Sequence, residues 1–402
     1  MATKDFTPNL KKDFPLLQKK KDLVYLDNAA TTQKPAVVLE AMDDFYKKDY
    51  APVHRGLYDL SARATEKYEA VREKCQKFIN GKYTKEIIFT HGATDAINMV
   101  ADSLSTVLKP NDRIVISEIE HHANFVPWQQ LAKKIGLDLQ LAPVDDEGFP
   151  ILKEWEKLID EKTKLVAIPH ISNVFGSVFP IEEIAKIARL HDALLLVDGA
   201  QAVAHTKIDV QKLDCDFYLF SAHKMYGPTG IGVLYGKKKI LESLPPSRFG
   251  GHMTESIGEK ETTFAPLPAK FEAGTPPIAE AIGLGVAIDY LEKIGLENIQ
   301  KHEEALALYA NQTLREIADL KIFSAEKSNI ISFNVGGIHS HDLATILAEK
   351  NICIRAGHHC SIPSMKKMKE TAVARASLGL YNEKADIDKL KKAILEAKKI
   401  FS

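Results

Sequence analysis

The chain has 402 residues, 45% of them hydrophobic, and its 53 Lys and Arg against 54 Asp and Glu leave a formal charge of -1. Such a chain buries a large core, with about two to three domains expected from length, and its balanced charge argues against a nucleic-acid or membrane-surface partner. Apolar runs such as Ala193 to Val197 are too short to span a bilayer. Residues Met1 to Leu10 include Asp5 and show neither a signal-like apolar core nor an Arg/Ser-rich amphipathic pattern, so a cytoplasmic location is expected.

After a polar leader with the solvated run Lys19-Lys20-Lys21, Val24 to Leu26 reads as a short strand into the turn Asp27-Asn28-Ala29-Ala30. Pro35 opens a helix to about Lys48, and Ser61 to Phe78 is a second helix with Ser61 as its N-cap. Strand-like runs then recur at Ile87-Thr90, Arg113-Ser117, Leu165-Pro169, Leu194-Asp198 and Phe217-Phe220, with helical stretches Ala93-Ser105, Ala123-Lys134 and Ile181-Leu190 between them. Alternation of this kind predicts an α/β domain with a mainly parallel sheet. Ile231 to Tyr235 is a further strand, and Glu259 to Pro277 is a long connection of the kind that carries function. Helices follow at Ala279-Ile294 and Glu297-Ala318, then an alternation of strands (Ile330-Val335, Ile352-Arg355, Arg375-Leu378) and helices (His341-Lys350, Glu383-Ile400) that predicts a smaller α+β domain.

The polar residues of interest fall at the ends of the predicted strands, where ligands bind in parallel sheets. Thr90 leads to His91-Gly92-Ala93-Thr94 at a helix start, an anion site by its free N–H groups and dipole. Ser117 leads to Glu120-His121-His122, Pro169 to His170 and Asn173, and Val197 to Asp198 and Gln201. Phe220 leads to Ser221, His223 and Lys224 in a Gly/Pro-rich turn, where a lysine could form a Schiff base with an aldehyde cofactor. Singly, each has a plain alternative: a solvated loop lysine, a helix-capping aspartate, a surface histidine, an arginine paired with a carboxylate. Together they supply what pyridoxal phosphate needs: an amine, an acid for the pyridine nitrogen, a phosphate cradle and a histidine near the ring. Of four cysteines, Cys75, Cys215, Cys353 and Cys360, no pair has C-x-x-C spacing, which argues against a disulfide framework or zinc ribbon. His358, His359 and Cys360 are adjacent and converge poorly on one ion, so no metal site is expected.

The runs Tyr25 to Ala30, Val53-His54-Arg55-Gly56, Glu120 to Asn124, Val197 to Gln201, Ser221 to Gly230, Phe271 to Pro276 and Arg355-Ala356-Gly357-His358-His359-Cys360 resemble the SufS-type, second-group cysteine desulfurases. These belong to the class-V aminotransferase family of fold-type-I pyridoxal phosphate enzymes, and the resemblance runs from about Asp13 to the C-terminus. It implies a large domain at 23–290 with a mainly parallel seven-stranded sheet, a small α+β domain at 291–402 carrying the nucleophile, and a segment 1–22 packing with the small domain.

Position by position, the resemblance implies that Lys224 holds the cofactor aldehyde, Asp198 bonds the pyridine nitrogen, His121 stacks on the ring and Gln201 approaches the phenolic oxygen. Thr94, Ser221 and His223 match the phosphate cradle, and Thr275 matches a residue that reaches the cofactor of a partner subunit, hence a homodimer. Arg375, assisted by Asn173, matches the clamp on the substrate carboxylate, with Arg355 nearby. Cys360 matches the nucleophile that takes sulfur from L-cysteine as a persulfide, leaving alanine and supplying iron–sulfur cluster assembly. His358, His359 and the arginines are the candidate cations favouring its thiolate. Selenocysteine is a further candidate substrate. His339-Ser340-His341-Asp342 resembles members whose acceptor is a zinc-containing SufU-like protein, a SufE-like acceptor being the alternative. Three positions depart from the family pattern: Ala93 where a threonine or serine is common in the phosphate loop, Ser361 where an alanine is usual after the cysteine, and His252 where an acid is usual. A kynureninase-like or aminotransferase-like enzyme has no use for Cys360, and a catalytically idle docking protein has none for Lys224, Asp198 and Arg375 together.

Overall fold

The computed structural model describes residues 10–401. After β1 (Val24–Tyr25), seven strands form the large sheet: β2 (Ile87–Thr90), β3 (Arg113–Ser117), β4 (Asp138–Ala142), β5 (Thr163–Pro169), β6 (Leu194–Asp198), β7 (Phe217–Ser221) and β8 (Gly232–Gly236). Their spatial order is β2-β8-β7-β6-β5-β3-β4, and only β8 runs antiparallel to its neighbours. The middle strands read as unbroken apolar runs because helices cover both faces. Side chains alternate between two cores: Val166, Ile168, Leu195, Val197, Tyr218 and Phe220 join one, and Leu165, Ala167, Leu196, Phe217 and Leu219 the other. Helices Asp59–Phe78, Ile181–Leu190 and Ile278–Ile294 pack on the first face, and Ala93–Leu104 with Val126–Ile135 on the second.

A hairpin pairs β9 (Thr254–Ile257), just before the long connection, with β10 (Thr262–Phe264) inside it. Beyond it, β11 (Leu320–Ile322), β12 (Ile330–Val335), β14 (Arg355–Gly357) and β15 (Val373–Ser377) form an antiparallel sheet in the order β11-β12-β15-β14. Strand β13 (Ile352–Cys353) pairs instead with β1, in parallel. Helices Leu296–Arg315, Ser340–Glu349 and Lys384–Ile400 close the third core over this sheet. The first described residues are tied to distant segments: the buried Phe14 ring lies 4.7 Å from Tyr381 and 6.0 Å from Tyr226, and Lys11 pairs with Asp386 at 2.9 Å.

Several expectations need correction. Ser61 is not an N-cap. Its helix starts at Asp59, and the buried Ser61 hydroxyl donates to the Pro52 carbonyl at 2.6 Å, pinning the preceding loop. The helix expected over Ala123-Lys134 is a 3₁₀ turn, His122–Asn124, followed by Val126–Ile135, with Pro127 in its first turn. The single strand Ile352-Arg355 is two, because β13 and β14 pair with different partners.

Candidate active site

The carboxyl ends of β5, β6 and β7 meet at one sheet edge beside the start of helix Ala93–Leu104. A cavity of about 220 Å³ opens there, lined by Thr94, His121, Asn173, Asp198, Gln201, Ser221, His223, Lys224, Arg355 and Arg375. Cys360 lines an adjoining groove of about 500 Å³, together with Thr94 and His121. Thr275 is the expected site residue placed elsewhere: it is exposed in a separate recess with His91, Arg248 and His252.

Lys224 stands in the 3₁₀ turn that ends β7 and faces the cavity. Desolvation pushes its amine below the ordinary lysine range, opposed by the charge of Asp198. Burial in turn raises the Asp198 carboxyl, which accepts from the Ala200 N–H at 2.9 Å. His121 is driven down to about 3 by burial and then by the positive charge of Lys224. Its Nδ1 accepts from the Ala123 N–H at 3.1 Å, so the neutral ring carries its proton on Nε2. Gln201 is fixed by donating to the Ala29 carbonyl at 2.8 Å.

The helix start approaches the sheet closely because two glycines meet. Gly92 has φ 149°, and a Cβ on Gly232 would stand 2.5 Å from the Gly92 Cα. Ser221 Oγ accepts from the Ala93 N–H at 2.8 Å, so Ala93, which lacks the hydroxyl common in the family pattern, is still tied to the cradle through its backbone. Remaining amides of the first turn have no intrahelical acceptor. His223 Nδ1 lies 3.2 Å from Thr31 Oγ1, and burial lowers its pKa to about 4.

Arg375 is 1% exposed, with Nη1 donating to the Asn173 carbonyl at 2.9 Å and Nη2 3.4 Å from Asp27 Oδ1. Burial lowers it to about 10, which leaves it cationic at neutral pH, and its Nε has no acceptor among the described residues. A buried guanidinium with a spare donor on a cavity wall suits a planar carboxylate. The Asn173 amide nitrogen is already engaged on the His359 carbonyl at 2.8 Å.

Of the cations expected near Cys360, Arg355 is the one in contact: its Nη2 is 3.3 Å from the sulfur. His359 is not a source of charge. It is buried, its Nε2 donates to the Val373 carbonyl at 3.0 Å, and burial pushes it down to about 3. His358 instead accepts the Cys360 N–H on Nδ1 at 3.1 Å. Among the described residues no group of three or more His, Cys, Asp or Glu is placed to hold a metal ion, and no helix is long and apolar enough to cross a membrane.

Two contributors escaped the sequence reading. Asp27, the partner of Arg375, stands in a run quoted only as a motif. Glu120, in a run likewise read only as a motif, is buried with neither carboxyl oxygen hydrogen-bonded among the described residues, and desolvation raises its pKa well above the carboxylate range.

These residues fit pyridoxal phosphate: a desolvated amine, a buried acid lining the same cavity, and a helix start with unfilled donors for a phosphate. The chain matches the aminotransferase class-V family over residues 24–390. It is 51% identical to a probable cysteine desulfurase of Halalkalibacterium halodurans, covering 98% of each chain, and 46% identical to one of Staphylococcus aureus, covering 100% of this chain and 99% of that one. Among solved structures, it resembles the apo cysteine desulfurase of Thermococcus onnurineus NA1 (TM-score 0.94, 39% identity, 99% of this chain and 100% of that chain). The Escherichia coli cysteine desulfurase CsdA gives TM-score 0.93 at 36% identity over the whole of both chains. The chain therefore belongs to the class-V aminotransferase family and, within it, to the pyridoxal-phosphate-dependent cysteine desulfurases.

Proposed function

We propose that this enzyme takes sulfur from L-cysteine through Cys360. The substrate C–S bond breaks and its electron pair stays with carbon, which takes up a proton to give L-alanine. An S–S bond forms in exchange, leaving a persulfide on Cys360. When bound, pyridoxal phosphate supplies the electron sink for loss of the substrate α-proton. Lys224 would hold its aldehyde, and its desolvated amine is suited to carrying that proton. Asp198 would hold the pyridine nitrogen, Gln201 the phenolic oxygen, and Thr94, Ser221 and His223 the phosphate. Neutral His121 would cover the ring. Arg375, with Asn173, would take the substrate carboxylate.

The observation that carries this reading is the sulfur of Cys360 held 3.3 Å from Arg355, a residue that also lines the cavity with Lys224 and Arg375. The test is release of alanine and sulfide from L-cysteine, with reductant, by the cofactor-loaded enzyme and its Cys360→Ala variant. Equal release by the wild type and loss in the variant support the persulfide route. Full activity in the variant would falsify Cys360 as the nucleophile.

The run from Arg355 to Cys360 supports placement in the second group, with sulfur going to iron–sulfur assembly and selenocysteine as an alternative substrate. A homodimer is supported by Thr275, which is exposed and outside its own chain's cavity, together with exposed Tyr46, Tyr50, Leu57 and Tyr58. Division at 1–22, 23–290 and 291–402, and a cytoplasmic location, complete the reading. For the acceptor, His341 is exposed, and a Cβ on Gly357 would stand 3.3 Å from its Nε2, close to the Cys360 turn. That position suits a zinc-containing SufU-like acceptor better than a SufE-like one. Unchanged acceptor-stimulated turnover in His341→Ala would remove the zinc reading.

A further inference from the structure

Cys360 lies in a backbone turn that its surroundings must hold in place. His359 and Cys360 are both left-handed, at φ 51° and 55°, a conformation that non-glycine residues keep in succession only where neighbours over-determine it. On the His359 side the hold comes from Asn173 and the Val373 carbonyl. On the Cys360 side it comes from the segment that carries His121. The His122 N–H donates to the Cys360 carbonyl at 2.7 Å, and the Ile362 N–H donates to His122 Nε2 at 3.1 Å.

The third contact on that side comes from a side chain. Ser361 Oγ donates to the Glu120 carbonyl at 2.9 Å and lies 2.6 Å from Ser364 Oγ, and both serines are fully buried. The Ile119 carbonyl is within 3.3 Å of Ser361 and 3.2 Å of Ser364. Two hydroxyl protons must be placed here. Ser364 donating to Ser361 while Ser361 donates to Glu120 uses both and leaves no hydroxyl idle. Ser361 is absent from the linings of the cavity and of the adjoining groove, so this hydroxyl does not reach substrate or cofactor.

We propose that Ser361 is a positioning residue for Cys360: its hydroxyl, relayed from Ser364, clamps the left-handed turn to the His121 segment and fixes the sulfur against Arg355. An alanine at 361 fills nearly the same space but removes the clamp, and Ser364 then has only the Ile119 carbonyl. The inference rests on the reading of Cys360 as nucleophile.

The test uses cofactor-loaded Ser361→Ala and Ser364→Ala with saturating L-cysteine. The first-turnover rate of alanine formation in Ser361→Ala falls about tenfold, since misplacing a reacting atom by a fraction of an ångström is felt directly in the rate. KM and the cofactor absorbance stay at wild-type values. Amide exchange across 119–122 and 358–364 quickens while the rest of the chain keeps its protection. Ser364→Ala moves both readouts the same way by less, and it carries the test should Ser361→Ala fail to fold. Wild-type values in either the first-turnover rate or the exchange overturn the clamp. Cys360→Ala separates the two failures: if it still forms alanine, the nucleophile reading has failed, and if it is inactive while Ser361→Ala behaves as wild type, only the clamp has.

Discussion

Arg355 Nη2 and the sulfur of Cys360 lie 3.3 Å apart, the arginine opening β14 and the cysteine in the turn that follows it. Guanidinium geometry matters here, because a lysine ammonium at the end of a flexible stem does not reproduce a planar donor held by β14. Arg355→Lys is therefore expected to lose about tenfold or more in turnover while the cofactor still loads. Absorbance of bound cofactor and the rate of alanine formation check this, and turnover within twofold of wild type counts against the contact.

Arg375 makes a different prediction because it is buried with an unfilled donor. Charge-assisted hydrogen bonds contribute roughly 1.5–3 kcal/mol each, so Arg375→Gln should raise KM for cysteine by about tenfold to a hundredfold. Steady-state kinetics decide, and an unchanged KM would place the substrate carboxylate elsewhere.

The buried histidines give a pH dependence of stability with a definite sign. His359 has a folded pKa of about 3, against about 6.5 in an unfolded chain. Between these values the unfolded state binds more protons, so the stability associated with neutral His359 is complete above pH 6.5 and is lost as pH falls toward 3. His359→Gln keeps a donor for the Val373 carbonyl without the titration. The gap in unfolding free energy between wild type and variant should narrow, or reverse, as pH is lowered across that window. A gap constant from pH 7 to 4 would contradict the assignment. Wild type alone is a poor readout, because Asp198 and Glu120, both raised, act in the opposite sense.

Arg72 is 2% exposed and meets Glu272 through two nitrogens at 2.7 and 2.9 Å, while Glu272 also accepts the Phe89 N–H at 2.7 Å. This joins helix Asp59–Phe78, strand β2 and the segment bearing Thr275. Removing one partner strands a buried charge, at a cost of about 3–5 kcal/mol. Glu272→Ala should lower the urea midpoint accordingly, and a shift worth under about 1 kcal/mol would show that Glu69, which accepts from Arg72 Nε at 2.8 Å, alone satisfies the arginine.

Strands β2, β3 and β6 are legible in the sequence to the residue, because fully apolar runs end abruptly in polar residues at the sheet edge. The same abruptness exposes Asp198, Ser221 and Lys224 as candidates. Strand β4 is missed because Asp138–Ala142 lies at the sheet edge, mostly half-buried, and alternates polar with apolar over only five residues. Helix Ile362–Met368 is hidden by its Pro363, which reads as a breaker yet sits in the first turn where it is tolerated. In the site, residue types are readable but pairings are not. That Arg355 meets the thiol while His359 turns away follows from β14 pairing with β15, a relation between segments about twenty residues apart. Ser361 matters through a carbonyl roughly 240 positions earlier, and no local pattern encodes that.

One wall of the cavity is built from both ends of the chain. Asn28 donates to the Ser377 carbonyl and to Asn382, the Ala29 N–H donates to Ser377 Oγ, and Asp27 meets Arg375. A nascent chain can thus complete every strand of the large sheet while the turn bearing Ala29 still lacks its holders. That wall is complete only where residues 375–382 are present to hold the turn.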